Sequence, residues 1–168
     1  MSTAPTYAQA LELPLMVDKV VVDDQIDQNG HMNITYYFWG GSLAAWDLTK
    51  TTGATDTYIA DRGFSFFTVG HHISYLSELR LGDRYTVHAG WVERTDKAAH
   101  VLTVVVDRER ERIACLMECT FVHVSMETRR AASIPDDIAA SIDEQVAAAP
   151  WLPAVATGLS LRPKKDGR

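Results

Sequence analysis

Asp27, Asn29, Gly30, His31 and Asn33 fall within seven positions, immediately before a long uncharged run. An aspartate carboxylate is ionised at neutral pH, so Asp27 has the chemistry of a nucleophile or of a general base toward water. His31 can orient that carboxylate or donate to a substrate, and Gly30 lets the chain turn with positive φ or lets a substrate approach the backbone. Ordinary turn chemistry accounts for the same residue types: Asp27 and Asn29 suit an Asx turn, and Asn33 suits a helix N-cap. A capping turn and a reactive loop therefore compete, and the elements on either side decide between them.

Upstream, residues 1–13 are mixed and read as loose, and residues 14–22 read as a first strand from their β-branched content. Downstream, Asn33 to Lys50 reads as a helix capped by Asn33 and stopped by Gly53, with no charge before Asp47. Apolar residues appear almost all round it, with Ile34, Tyr37, Phe38, Gly41, Ala45 and Leu48 on one side and Trp39, Leu43 and Trp46 on others. Such a helix belongs in an interior. The Gly40-Gly41 pair, unfavourable in a helix, makes sense where another backbone approaches closely. The first backbone N–H groups of that helix, around Ile34 to Tyr36, are donors at the positive end of its dipole, suited to a carbonyl oxygen that is gaining charge.

Residues 64–76, 84–92, 99–107 and 112–125 read as strands, with hairpin turns at 95–98 and at the charged tip 107–112. Residues 133–149 read as a short surface helix and 150–168 as a tail. The order of strand, buried helix and four antiparallel strands is an α+β pattern in which the sheet wraps the helix. At 168 residues this is one domain, with a core over about 14–128 and a C-terminal helix and tail over 133–168.

Sixteen basic against twenty-two acidic side chains, a formal charge of −6, oppose the phosphate attraction that nucleic-acid binding uses. The chain has neither an apolar run long enough to span a bilayer nor a secretory leader, so the expected compartment is the cytoplasm. Cys115 and Cys119 lie four positions apart in one expected strand, about 13 Å between backbones, too far for a disulfide. Six scattered histidines show no metal-ligand spacing, and no cofactor is expected. His71 and His72 are adjacent in a strand, so alternation puts them on opposite faces. His72, sharing a face with Phe66, Thr68 and Ser74, is the candidate for substrate contact.

The loop and the element order together resemble the hotdog-fold acyl-CoA thioesterases, specifically the family named for 4-hydroxybenzoyl-CoA thioesterase. That family has a loop of the form Asp-x-x-Gly-His-(hydrophobic)-Asn between the first strand and the central helix, and Asp27, Gly30, His31, Met32 and Asn33 fill it in order. The fold-level resemblance covers about residues 14–128. Residues 67–83 resemble the branch that hydrolyses betainyl-CoA in carnitine degradation, although Gly70 stands where many members of that branch carry an acid.

The resemblance implies a hydrolase releasing a free acid and CoA from a small acyl-CoA. It implies Asp27 as the catalytic carboxylate, with His31 beside it and the Ile34 N–H among the oxyanion donors. Asn33, Tyr36, Tyr37 and His72 are the expected substrate contacts. Tyr36, Tyr37, Trp39 and Trp46 could form an aromatic box for a quaternary ammonium group. Arg62, Arg80, Arg84, Arg94, Lys97 and Arg129 are available to CoA phosphates. The resemblance further implies a homodimer or homotetramer with active sites at the subunit boundary. Two alternatives remain. The hotdog enoyl-CoA hydratases separate their Asp and His by four residues, against three here, and a non-catalytic acyl-CoA binding module would use the same pocket without hydrolysis.

Overall fold

A computed structural model describes residues 4–161. Five strands, β1 (Leu15–Val20), β2 (Phe64–Tyr75), β3 (Arg84–Arg94), β4 (Ala98–Asp107) and β5 (Arg112–Ser125), form one antiparallel sheet in the order β1-β3-β4-β5-β2. β3, β4 and β5 follow one another through hairpins, as the charged 107–112 tip and the 95–98 turn require. β1 and β2 become the two edges because the helix between them crosses the sheet instead of joining them.

That helix, α2 (Ile34–Lys50), is capped by the Asn33 side chain, which accepts the Thr35 N–H at 2.9 Å. It packs on β1, β3, β4 and β5 through Tyr37, Gly40, Gly41, Ala44, Ala45 and Leu48. A Cβ at Gly41 would lie 2.7 Å from Met117 Cε and 3.0 Å from Thr103 Oγ1. The close approach expected at the glycine pair therefore exists, made by sheet side chains and not by a backbone.

The helix is not hidden all round. Ile34 (57% exposed), Phe38 and Trp39 face outward, and Trp46 is partly open. One sheet can cover only one face of a helix, so the uncharged opposite face remains uncovered within a single chain.

Two shorter helices stand on the same side of the sheet: α3 (Tyr58–Arg62) leads into β2, and α4 (Asp136–Ala148) buries Ile138, Ala139 and Ile142 against β3. The other face is covered by the ends of the chain. Residues 7–12, expected to be loose, form α1 (Tyr7–Glu12), started by a capping box between Thr6 and Gln9. Residues 150–161, expected as a tail, include α5 (Leu152–Val155), and Leu152, Val155 and Ala156 join Ala10, Leu13, Val92, Leu102 and Val104 in a second core. The remainder of that tail, 162–168, lies outside the described residues. No helix among the described residues is long and apolar enough to cross a membrane.

Candidate active site

Between β1 and α2 the chain makes a short 3-10 turn at Asp23–Gln25 and then a tight loop, pinned by the Ile26 and Met32 bridge. Inside it the Asp27 N–H donates to the His31 carbonyl at 3.1 Å and the Gly30 N–H to the Asp27 carbonyl at 3.0 Å. Gly30 sits at φ 78°, in the left-handed region, with open space around it. A side chain there would strain the backbone, so glycine is required by conformation and not by crowding.

The turn chemistry engages only part of the Asp27 carboxylate. Asp27 Oδ1 accepts the Asn29 N–H at 2.8 Å, the expected Asx turn. Asp27 Oδ2 meets Asn33 Nδ2 at 3.4 Å, and His31 Nδ1 lies 4.0 Å from Oδ1. The Asp27 side chain is 11% exposed, against 30% for His31.

The helix start is partly occupied. Asn33 takes the Thr35 N–H with its side chain and the Tyr36 N–H with its carbonyl at 3.0 Å. Of the three donors expected there, only the Ile34 N–H has no protein acceptor among the described residues.

The loop divides two hollows. A cleft of about 550 Å³ is lined by Lys19, Asp24, Gln25, Ile26, Asp27, Asn33, Thr35, Tyr36 and Trp39. On the other side of the helix start lies a smaller pocket, about 250 Å³, with His31, Ile34, Tyr37 and Tyr75 on its walls. Asp27, Asn33 and Tyr36 thus share one hollow, while His31, Ile34 and Tyr37 share its neighbour. Tyr36 is fixed by donating its hydroxyl to the Asp24 carbonyl at 3.1 Å. In the wider cleft Lys19 Nζ stands 4.3 Å from the centroid of the Trp39 ring. Of the aromatic residues expected to form a box, Tyr36 and Trp39 line this cleft, Tyr37 faces the smaller pocket, and Trp46 lines neither.

His72 is not part of this constellation. β2 carries a bulge between Thr68 and Gly70, so Val69 has no partner on β5 and the alternation changes phase. Phe66 faces α2 before the bulge, and His71, Ile73 and Tyr75 face it afterwards, with His71 packing edge-on against Phe38 at 5.0 Å. His72 and Ser74 consequently point to the opposite face, beside Glu118 and Gly158. The expectation that His72 shares a face with Phe66 fails at that one extra residue. Gly70 was the available signal, since an isolated glycine inside a strand pattern marks a bulge.

Most of the basic side chains available to phosphates already have acidic partners: Arg62 with Asp137, Arg80 with Glu78, Arg84 with Asp18 and Arg94 with Asp143. Lys97 and Arg129 have no carboxylate partner among the described residues, and Arg129 lies over the Phe67 ring. Cys115 and Cys119 are free and buried, as expected, and burial pushes the Cys115 thiol up to about 12. Among the described residues no group of three or more His, Cys, Asp or Glu side chains is arranged to hold a metal.

Among curated proteins, residues of this chain align at 28% identity over 128 residues with an L-carnitine dehydrogenase/betainyl-CoA thioesterase from Ruegeria pomeroyi, covering 76% of this chain and 26% of that protein. A betainyl-CoA thioesterase from Pseudomonas aeruginosa aligns at 25% identity over 73% of this chain and 77% of its own length. The chain thus spans about a quarter of the length of the two-activity relatives it matches. Among solved structures, a hypothetical protein from Staphylococcus aureus in complex with CoA superposes with a TM-score of 0.77 at 22% identity, covering 96% of this chain and all of that one. A 1,4-dihydroxy-2-naphthoyl-CoA thioesterase from Synechocystis superposes at 0.66, with 15% identity over 76% of this chain and 94% of its own. These superpositions establish the hotdog fold. The profile of the Thioesterase-like superfamily matches residues 20–142, and the chain belongs to that family.

Proposed function

We propose that this chain hydrolyses a small acyl-CoA to the free acid and CoA, with Asp27 as the carboxylate that brings oxygen to the acyl carbon. The observation that carries the reading is a nearly buried carboxylate at the edge of a cleft, seven residues before the first residue of a helix whose Ile34 N–H lacks a protein acceptor among the described residues. Water's oxygen bonds to the acyl carbon, the C–S bond breaks, and the departing sulfur takes a proton. Asp27 serves either as base, accepting the proton of the attacking water, or as nucleophile, its oxygen displacing the CoA thiolate to form a mixed anhydride that water then hydrolyses to the free acid and the restored carboxylate. The Ile34 N–H, at the positive end of the α2 dipole, stabilises the oxygen of the tetrahedral intermediate. Asn33 and Tyr36 on the cleft side and His31 on the side of the smaller pocket flank this position and frame the substrate.

The acyl group we favour is cationic, as in betainyl-CoA. The cleft's lining carries two carboxylates, Asp24 and Asp27, against one cation, Lys19, and the Trp39 ring already attracts an ammonium group, that of Lys19. The same assignment is supported by the alignments with betainyl-CoA thioesterases.

Assembly is part of the proposal. Ile34, Phe38, Ile73 and Tyr75 form an apolar groove between α2 and β2, and β2 is a twelve-residue edge strand. A second copy pairing along that edge would cover the groove and close the smaller pocket beside His31. The chain then works as one hotdog unit in a homodimer.

A thiol-release assay over acetyl-, benzoyl-, crotonyl- and betainyl-CoA tests the reading. The expected result is thiol release with the highest kcat/KM for betainyl-CoA, and no hydration of crotonyl-CoA. Binding of every acyl-CoA without thiol release would overturn it.

A further inference from the structure

The start of α2 is tied to the loop before it by a route that runs through a third segment. The Met32 N–H donates to the Leu79 carbonyl at 2.8 Å, and the Leu79 N–H donates to the Tyr37 hydroxyl at 2.8 Å. Met32 and Leu79 are fully buried and Tyr37 is 4% exposed, so water cannot replace either bond. Tyr37 is one turn into α2, and Met32 lies between His31 and Asn33. Two hydrogen bonds therefore close a ring from the helix, across the 76–83 loop, and back to the centre of the motif.

The 76–83 loop is itself braced from its far side. Arg112 donates to the Glu78 carbonyl at 3.1 Å, and Arg110 to Asp83 at 2.6 Å. Both arginines also donate to Asp107 Oδ2 at 3.0 Å, on a residue with no exposed surface. A loop held this firmly can transmit position from Tyr37 to Met32 instead of yielding. Burial pushes the Tyr37 phenol up to about 12 although the Leu79 N–H pulls it the other way, so the hydroxyl stays neutral and the acceptor is present at every working pH.

We propose that Tyr37 is a positioning residue: through Leu79 it holds Met32, and with it the Asp27–Asn33 loop, in register with the Ile34 N–H. This rests on the reading of that loop as the thioesterase site. The Tyr37 hydroxyl is spent on the protein's own backbone, which separates its role from that of a substrate contact.

Tyr37→Phe in the full chain is the test, read by steady-state thiol release and by amide hydrogen exchange. Removing the hydroxyl leaves a buried N–H unpaired and frees the loop. The expected result is a kcat about tenfold lower with KM within twofold, and exchange at Met32 and Leu79 at least tenfold faster while Val104 and Val105 of β4 keep their protection. Arg112→Gln, loosening the same loop from its braced side, is expected to act in the same direction more weakly, and replaces Tyr37→Phe if that variant does not fold. Unchanged exchange at Met32, faster exchange with unchanged kcat, or a rise in KM alone would overturn the proposal. Exchange is read without turnover, so a wild-type chain releasing no thiol would refute the thioesterase reading and leave the exchange result to decide the role of Tyr37.

Discussion

Two carboxylates on opposite faces of the sheet show how differently a fold can treat the same group. Glu118, on the face covered by the chain ends, is 4% exposed and fully engaged. Its oxygens lie 3.0 Å from His100 Nε2 and accept the N–H groups of Gly158 and Leu159 at 2.7 and 2.9 Å. Burial alone would raise its pKa, but these hydrogen bonds outweigh burial and hold it below the usual glutamate range. Asp27, on the α2 face, has one short hydrogen bond, from Asn29, a long one from Asn33, and a cleft beside it. A carboxylate whose lone pairs are all spoken for holds structure together, whereas one left partly unpartnered beside a hollow can take part in chemistry.

The contrast is broken most severely at Glu118. Glu118→Ala removes the carboxylate 3.0 Å from His100 Nε2 and leaves two N–H groups of the C-terminal segment without their acceptor, and we expect a loss of about 3 to 5 kcal/mol in urea unfolding. Thiol release by the fraction still folded should change little, because the site lies across the sheet. The pH dependence has a definite sign. A depressed carboxyl stabilises the fold fully above the unfolded-state value, about 4.3, and that contribution disappears as pH falls through the lower folded value. The stability gap between wild type and Glu118→Ala should therefore narrow below about pH 4.3, and a gap that widened there would remove Glu118 as a structural carboxylate.

A smaller effect is expected at Gly158. A Cβ there would lie 2.2 Å from His72 Cδ2 and 2.8 Å from Glu118 Oε1, so Gly158→Ala must displace the segment or the imidazole. We expect a loss of about 1 kcal/mol or less, because Gly158 and His72 are both exposed and the imidazole can swing toward solvent, with kcat kept. Thermal unfolding together with thiol release checks both parts.

The α2 face was more legible in the sequence than the face covered by the chain ends. The loop 27–33, the Asn33 cap, the helix to Lys50 and the hairpin tips follow from side-chain chemistry acting within a few residues, which a sequence displays directly. Glu118 and its partners come from segments about forty residues apart, joined through backbone N–H groups that carry no residue signature. His72 was misplaced because period-two alternation does not survive a bulge. The Thr6 and Gln9 capping box at the first helix is a local signal displayed by the sequence itself. The exposed side of α2 could not be separated from the buried side by composition, since both are apolar; only the sheet's one-sidedness distinguishes them.

The account turns on Asp27, and Asp27→Asn tests it most directly, by thiol release beside acyl-CoA binding and thermal unfolding. The substitution keeps shape and can still accept the Asn29 N–H, but removes the charge to which the proposed function assigns attack on carbon or acceptance of a proton. The prediction is a kcat lower by about 100-fold or more, with acyl-CoA affinity and unfolding temperature nearly unchanged. A variant that released thiol within a few-fold of the wild-type rate would contradict the central claim.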